Sequence, residues 1–126
     1  MDIDLPDVVA EVRAAFERYE RALVSNDVGE LDALFWDDAR TIRYGGAENL
    51  YGIAAIRAFR AARAPAGLER TLEGTVITTY GRDMAVASTL FRRTAGRIGR
   101  QMQTWMRTPE GWKVAAAHVS VIDDPL

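Results

Sequence analysis

The chain has no cysteine, one lysine (Lys113) and one histidine (His118) among 126 residues. Without cysteine there is no disulfide and no thiolate metal site, and the redox compartment is left open. A lone histidine makes no ligand pair, and the carboxylates fall mainly in helical and turn segments, so neither a metal nor a cofactor is expected. No apolar run approaches the ~18 residues of a membrane span. The acidic start, Met-Asp-Ile-Asp-Leu-Pro, lacks the charged and apolar regions of a signal peptide, which makes a cytoplasmic location the expectation. The net charge of −2 gives no basic footprint for nucleic acid. There is no GxSxG, no P-loop and no dinucleotide fingerprint, which removes support for triad hydrolysis, phosphoryl transfer and nicotinamide chemistry.

What is present is arginine: fifteen of the sixteen basic residues, spread from Arg13 to Arg107 and offset by eighteen acids. A guanidinium holds a carboxylate by two parallel hydrogen bonds, where an ammonium acts as a point charge. Most such arginines pair on the surface. One or two turned inward would bind an anionic small molecule.

The residue pattern reads as one α+β domain spanning 1–126. Pro6 suits a first helical turn, with Asp4 and Asp7 near its positive end. Val9, Val12, Phe16, Tyr19 and Leu23 then recur at spacings of three and four, one buried face. Ser25-Asn26-Asp27 closes this helix and caps a short second one, Val28 to Phe35. Thr41 to Tyr44 is β-prone, Asn49 to Tyr51 extended, and Ile53 to Arg63 a third helix with Ile53, Ile56 and Phe59 as its apolar stripe. Its row of Arg57, Arg60 and Arg63 reads as surface. Four strands follow: 70–80, 84–93, 98–108 and 112–122, separated by Gly81-Arg82-Asp83, Ala95-Gly96 and Pro109-Glu110-Gly111. Helices first and a meander afterwards imply a curved antiparallel sheet wrapped on the first helix, a cone with a pocket at its open end.

Period-two parity sorts the strand residues that could line that pocket. Trp112, Val114, Ala116, His118 and Ser120 share one face of the last strand, and Ala115, Ala117, Val119 and Val121 the other. Gln101, Gln103 and Trp105 share a face of the strand before. Parity does not say which face is concave. His118 is either a satisfied core imidazole or a group beside a ligand. Tyr19 is a phenol where Leu or Phe would pack equally well; it either bonds a strand carbonyl or points into the pocket. Arg43, on an inner wall, would be costly unless an anion pairs with it.

Several segments together resemble the AtzH-like family, which includes the oxalurate-catabolism HpxZ-type proteins. They are Thr-Ile-Arg-Tyr-Gly from Thr41, Glu-Asn-Leu-Tyr-Gly from Glu48, Ile-Arg-Ala-Phe-Arg from Ile56, Thr-Val-Ile-Thr-Thr-Tyr-Gly-Arg from Thr75, Gly-Arg-Gln-Met-Gln-Thr-Trp from Gly99, and Gly-Trp-Lys-Val-Ala-Ala-Ala-His-Val-Ser ending at Ser120. The family belongs to the SnoaL-like, nuclear-transport-factor-2-like (NTF2-like) superfamily. The resemblance implies that cone-shaped fold, three helices packed on a strongly curved antiparallel sheet. It also implies cofactor-free decarboxylation of 1,3-dicarboxyurea to allophanate, or a close analogue, in nitrogen-compound catabolism. The helix tyrosine and strand arginine that the family ties to catalysis carry over to Tyr19 and Arg43. Tyr44, Gln103, Trp105, His118 and Ser120 would supply substrate orientation and walls. The implied partners are a small anionic dicarboxylate and a second copy of the chain, with no nucleic acid and no membrane. The alternatives are a non-catalytic subunit of a partner amidase, or a binding protein for an oxalurate-like dicarboxylate.

Overall fold

A computed structural model describes residues 1–124. The elements run α1 (Pro6–Val24), α2 (Val28–Leu34), β1 (Ile42–Tyr44), β2 (Asn49–Tyr51), α3 (Ile53–Ala62), β3 (Thr71–Tyr80), β4 (Met84–Arg92), β5 (Arg97–Thr108) and β6 (Gly111–Asp123). Pro6 opens α1, and Val8, Val12, Ala15, Phe16, Tyr19, Ala22 and Leu23 form its buried stripe. The stripe begins at Val8 rather than Val9, because Val8 lies a full four residues before Val12. Asp4 does not cap the helix. Its Oδ1 accepts the Thr79 backbone N–H at 2.9 Å and fastens the N-terminus to β3. Asp27 caps α2 by accepting the Glu30 N–H at 3.2 Å. Phe35 leaves the helix in extended conformation, forms a parallel bridge with Val114 and is buried.

The sheet is six-stranded in the order β2-β1-β6-β5-β4-β3. It is mixed: beside the expected antiparallel meander β3–β6, β1 runs parallel to β6, pairing Arg43 with Ala117 and Tyr44 with His118. The crossover between them is long enough to hold β2, α3 and the β3–β5 meander, as a parallel pair requires. The helices cover one face. Trp105, Phe35, Leu31, Leu34, Ile56, Val8, Val12 and Val114 are fully buried there, each contributing roughly 1.5–3 kcal/mol for an aliphatic or Phe side chain. Trp112 ties α1 to β6, its Nε1–H donating to Glu11 Oε1 at 3.0 Å.

Two irregularities decide which side chains face inward. Between β5 and β6, Trp105 pairs with Val114 but Thr104 pairs with Ala116, so Ala115 is an extra residue. Alternation reverses across this bulge. Trp112 and Val114 face the helices before it, and Ala117, Val119 and Val121 are on that side after it. In β3 a second bulge falls between Glu73 and Val76, where Gly74 takes φ +60°. There Thr75 and Thr89 exchange a hydroxyl hydrogen bond of 2.8 Å.

Candidate functional site

Between α1, the ends of β1 and α3, and the inner face of β4–β6 lies a cavity of about 220 Å³. Tyr19 reaches it from the buried stripe of α1. Arg43 reaches it because the parallel β1–β6 pairing puts it on the same face as Ala117. No strand carbonyl takes the Tyr19 hydroxyl among the described residues. Leu23, Phe59, Leu68, Phe91, Val119 and Val121 supply apolar wall. The volume is below the ~300–1,000 Å³ of drug-sized sites, so a small molecule is the matching occupant.

The polar lining is dominated by guanidinium groups: Arg43, Arg63, Arg70 and Arg93, with Glu48. Arg43 Nη1 donates to Glu48 Oε1 at 2.8 Å, and its guanidinium lies 5.5 Å from the Phe59 ring centroid. Gly45 lets that carboxylate in, since a Cβ there would fall 1.7 Å from Glu48 Oε1. Arg70 is gripped by both carboxylate oxygens of Glu20 and stacks 4.5 Å over the Phe91 ring. Its Nη2 also donates to Gln101 Oε1 at 2.9 Å. This fixes the Gln101 amide, leaving its Nε2 buried without a partner among the described residues.

Arg63 and Arg93 have no acidic partner among the described residues. Arg93 Nη2 donates to the Leu68 carbonyl at 3.2 Å, whereas Nε and Nη2 of Arg63 are buried with no acceptor. Burial first, and then the charge of Arg43, hold the Arg63 guanidinium below the ordinary arginine range; Tyr19 opposes this, and Arg60 and Arg93 add to it. Burial and the neighbouring Arg70 lower Arg93 in the same way. Such a lining is a donor set for an anion and a poor one for a metal ion.

The arginine row on α3 is not a surface row. Arg57 does lie outside, 3.5 Å from Asp37. Arg60 is 2% exposed, donating to Asp32 Oδ1 at 2.9 Å with its guanidinium 4.2 Å from the Phe35 ring centroid. Arg63 lines the cavity.

Of the seven site residues expected from the sequence, Tyr19 and Arg43 share this cavity. Tyr44, His118 and Ser120 do not line it; they lie on the opposite sheet face, Tyr44 because it alternates with the inward Arg43 in β1, and His118 and Ser120 because the Ala115 bulge turns them away from the side that Trp112 and Val114 face. There the Tyr44 and Tyr51 hydroxyls bond at 2.9 Å, Tyr44 packs edge-on to His118 at 5.8 Å, and Ser120 Oγ accepts from Arg100 Nε at 3.1 Å. Gln103 and Trp105 are on the inner face but lie in the core, where Trp105 Nε1–H donates to Gln103 Oε1 at 3.1 Å. The sequence reading missed Glu48, Arg70 and Arg93 as site residues, put Arg63 on the surface, and named Gln101 only as a strand residue that could line the pocket. Gln101 carried a usable signal, since it shares parity with Gln103 and Trp105.

A larger depression of about 670 Å³ lies between α2 and the β5–β6 turn. Its cations are already engaged: Arg57 by Asp37, Arg107 by Asp83 at 2.8 Å, and Lys113 by the Ala33 carbonyl. It contains none of the unpartnered buried donors, so the smaller cavity is the candidate site.

Helices on one face of a mixed sheet, with a small polar cavity between them, make an NTF2-like fold. At 21% identity a solved NTF2-like protein from Pseudomonas putida superposes with a TM-score of 0.77 over 90% of this chain and 86% of its own, a likeness of fold alone. The chain belongs to the AtzH-like family, whose model matches residues 1–125. It is similar to a DUF3225-family protein of unknown function from Pectobacterium atrosepticum, with 63% identity, coverage of 97% and 96% of the two chains and a TM-score of 0.95. It is also similar to a cystatin-like fold protein from Burkholderia xenovorans, with 52% identity, 99% coverage of each chain and a TM-score of 0.95. No curated protein matches the chain. No helix among the described residues is long and apolar enough to cross a membrane.

Proposed function

We propose that the chain is a cofactor-independent carboxy-lyase for an N-carboxylated urea, converting 1,3-dicarboxyurea or a close analogue to allophanate. The observation that carries this reading is the convergence of a phenol and a guanidinium, Tyr19 and Arg43, in one small cavity whose other polar groups are mostly donors. The Arg43–Glu48 contact supports it, because Arg43 Nη1 already donates to a carboxylate in this setting.

In the proposed reaction Arg43 holds the carboxylate that stays. The bond between nitrogen and the other carboxylate carbon breaks, and its electron pair remains on nitrogen as carbon dioxide leaves. Tyr19, as general acid, delivers a proton to that nitrogen and recovers one from water, so the reaction consumes one proton overall. The apolar wall of Phe59, Leu68 and Phe91 favours the uncharged leaving molecule over the carboxylate it comes from.

The test is carbon dioxide release from 1,3-dicarboxyurea above the spontaneous rate, by the purified chain and by Arg43→Ala. Turnover that falls ~10²-fold or more in the variant is expected, as for loss of a positioned electrostatic group. Equal rates in both proteins would remove Arg43 from the reaction. Absence of turnover by the isolated chain, with co-purification of an amidase, would transfer the assignment to an accessory subunit.

A further inference from the structure

We infer that Arg63 and Gln101 form a second carboxylate subsite in this cavity, in addition to Arg43, and that this subsite makes the protein selective for dianions over monoanions. The inference rests on the reading of the cavity as the substrate site, and it assigns the residues that choose the substrate.

Three buried nitrogens carry it: Arg63 Nε, Arg63 Nη2 and Gln101 Nε2, each a donor and each without an acceptor. Both residues line the cavity, and Gln101 is 2% exposed. Native proteins pair nearly all buried polar groups; Arg60 Nη2 and Gln103 Nε2 are orphaned in the core, but these three belong to residues that line a cavity, where an acceptor-rich ligand can meet them. The acceptor must be anionic. Four guanidiniums line the cavity and two carboxylates answer them, Glu48 on Arg43 and Glu20 on Arg70. The two unanswered charges are those of Arg63 and Arg93, so a ligand with one negative charge leaves the excess partly unmatched and one with two matches it.

The supporting contacts show a built subsite. Glu20 fixes Arg70, Arg70 fixes the oxygen end of the Gln101 amide, and the nitrogen end is thereby oriented. Arg63 follows the last residue of α3, where its backbone N–H still closes onto the Arg60 carbonyl at 3.2 Å. Its backbone is thus anchored to a helix end packed on the core through Ile53, Ile56 and Arg60. Two charge-assisted contacts hold a dianion, and the monoanion left after decarboxylation keeps only one. The product therefore binds more weakly than the substrate.

The Arg63–Gln101 contact is made to the carboxylate that leaves as uncharged carbon dioxide, so it acts on ground-state binding more than on the transition state, and Arg63 is a specificity-determining residue whose loss raises KM without lowering kcat. The test is calorimetric titration with malonate and with monomethyl malonate, which share a skeleton and differ by one charge. The wild-type chain is expected to bind malonate about tenfold or more tightly than the monoester, the worth of one charged hydrogen bond. Arg63→Gln should abolish that preference, Arg63→Lys restore part of it, and Gln101→Leu reduce it. Arg57→Ala, on the outer side of α3, should leave it unchanged. A folded Arg63→Gln or Gln101→Leu protein with the full wild-type preference, or a wild type that binds the two ligands equally, would overturn the subsite. The readout is binding, so absence of dicarboxyurea turnover would count against the decarboxylase reading and leave the subsite standing.

Discussion

Arg57, Arg60 and Arg63 sit within seven residues of one helix and its cap, yet each has a different physical role. Arg57 keeps its charge in solvent beside Asp37. Arg60 is sandwiched between the Phe35 ring and Asp32, and burial lowers its pKa against the opposing pull of Tyr19 and Asp32. Arg60→Ala would remove that packing and leave Asp32 unpaired. It is expected to cost about 2–4 kcal/mol in urea denaturation, whereas Arg57→Ala should stay within about 0.5 kcal/mol. Equal costs would mean that burial does not separate the two. A helix of 3.6 residues per turn spreads 57, 60 and 63 over about a third of its circumference, and Arg60, four residues after Ile56 and seven after Ile53, falls on the buried stripe; that spacing was the one sign in the sequence that Arg60 differs from its neighbours. What separates them is where Phe35 and Asp32 of the preceding segment come to lie. Tyr19 was legible for the opposite reason: a phenol on an otherwise apolar stripe stands out whatever packs against it.

At the scale of elements, the sheet depends on contacts that alternation alone does not describe. Gly99 on β5 pairs with Phe91 on β4, and a Cβ at Gly99 would meet the Phe91 ring at 2.2–2.4 Å. The ring lies over the glycine and carries Arg70 on its face. Gly99→Ala is therefore expected to destabilise by about 1–3 kcal/mol through overpacking, and to weaken malonate binding by displacing the Phe91–Arg70–Gln101 chain. Thermal unfolding with and without malonate checks both effects, and an unchanged midpoint would show that the ring moves aside freely. The helices and strands were readable to within a residue or two at most ends, since their apolar periods and turn residues agree. The faces of β6 were not readable. One additional residue, Ala115, reverses every later side chain, and an alanine among alanines gives no sign of a bulge. His118 and Ser120 fall outside the site for that reason, whereas Tyr44, next to the inward Arg43 in β1, is turned outward by simple alternation.

The whole molecule presents two unlike faces. The helix-covered face holds the core and the cavity. The opposite sheet face exposes apolar side chains, with Met102 and Val76 each 56% exposed, alongside His118 and the Tyr44–Tyr51 pair. A monomer seldom leaves such a surface to water, and the family resemblance implies pairing through the sheet. The expected solution mass is twice the 14.0 kDa of one chain, with Met102→Glu shifting it toward monomer in light scattering. A monomeric wild type would remove the second copy. The α+β class and the order of elements were legible at this scale. The parallel β1–β6 pairing was not, because three residues of β-prone sequence carry no information about their partner strand, yet that pairing is what brings Arg43 to Tyr19.

The most direct measurement is kcat for 1,3-dicarboxyurea in Tyr19→Phe beside the wild type, with malonate affinity measured on the same samples. A drop of about 100-fold with malonate still bound is the expected result, since the ring keeps its place against Phe35 and only the proton donor is gone. An undiminished kcat in a folded Tyr19→Phe protein would contradict the account.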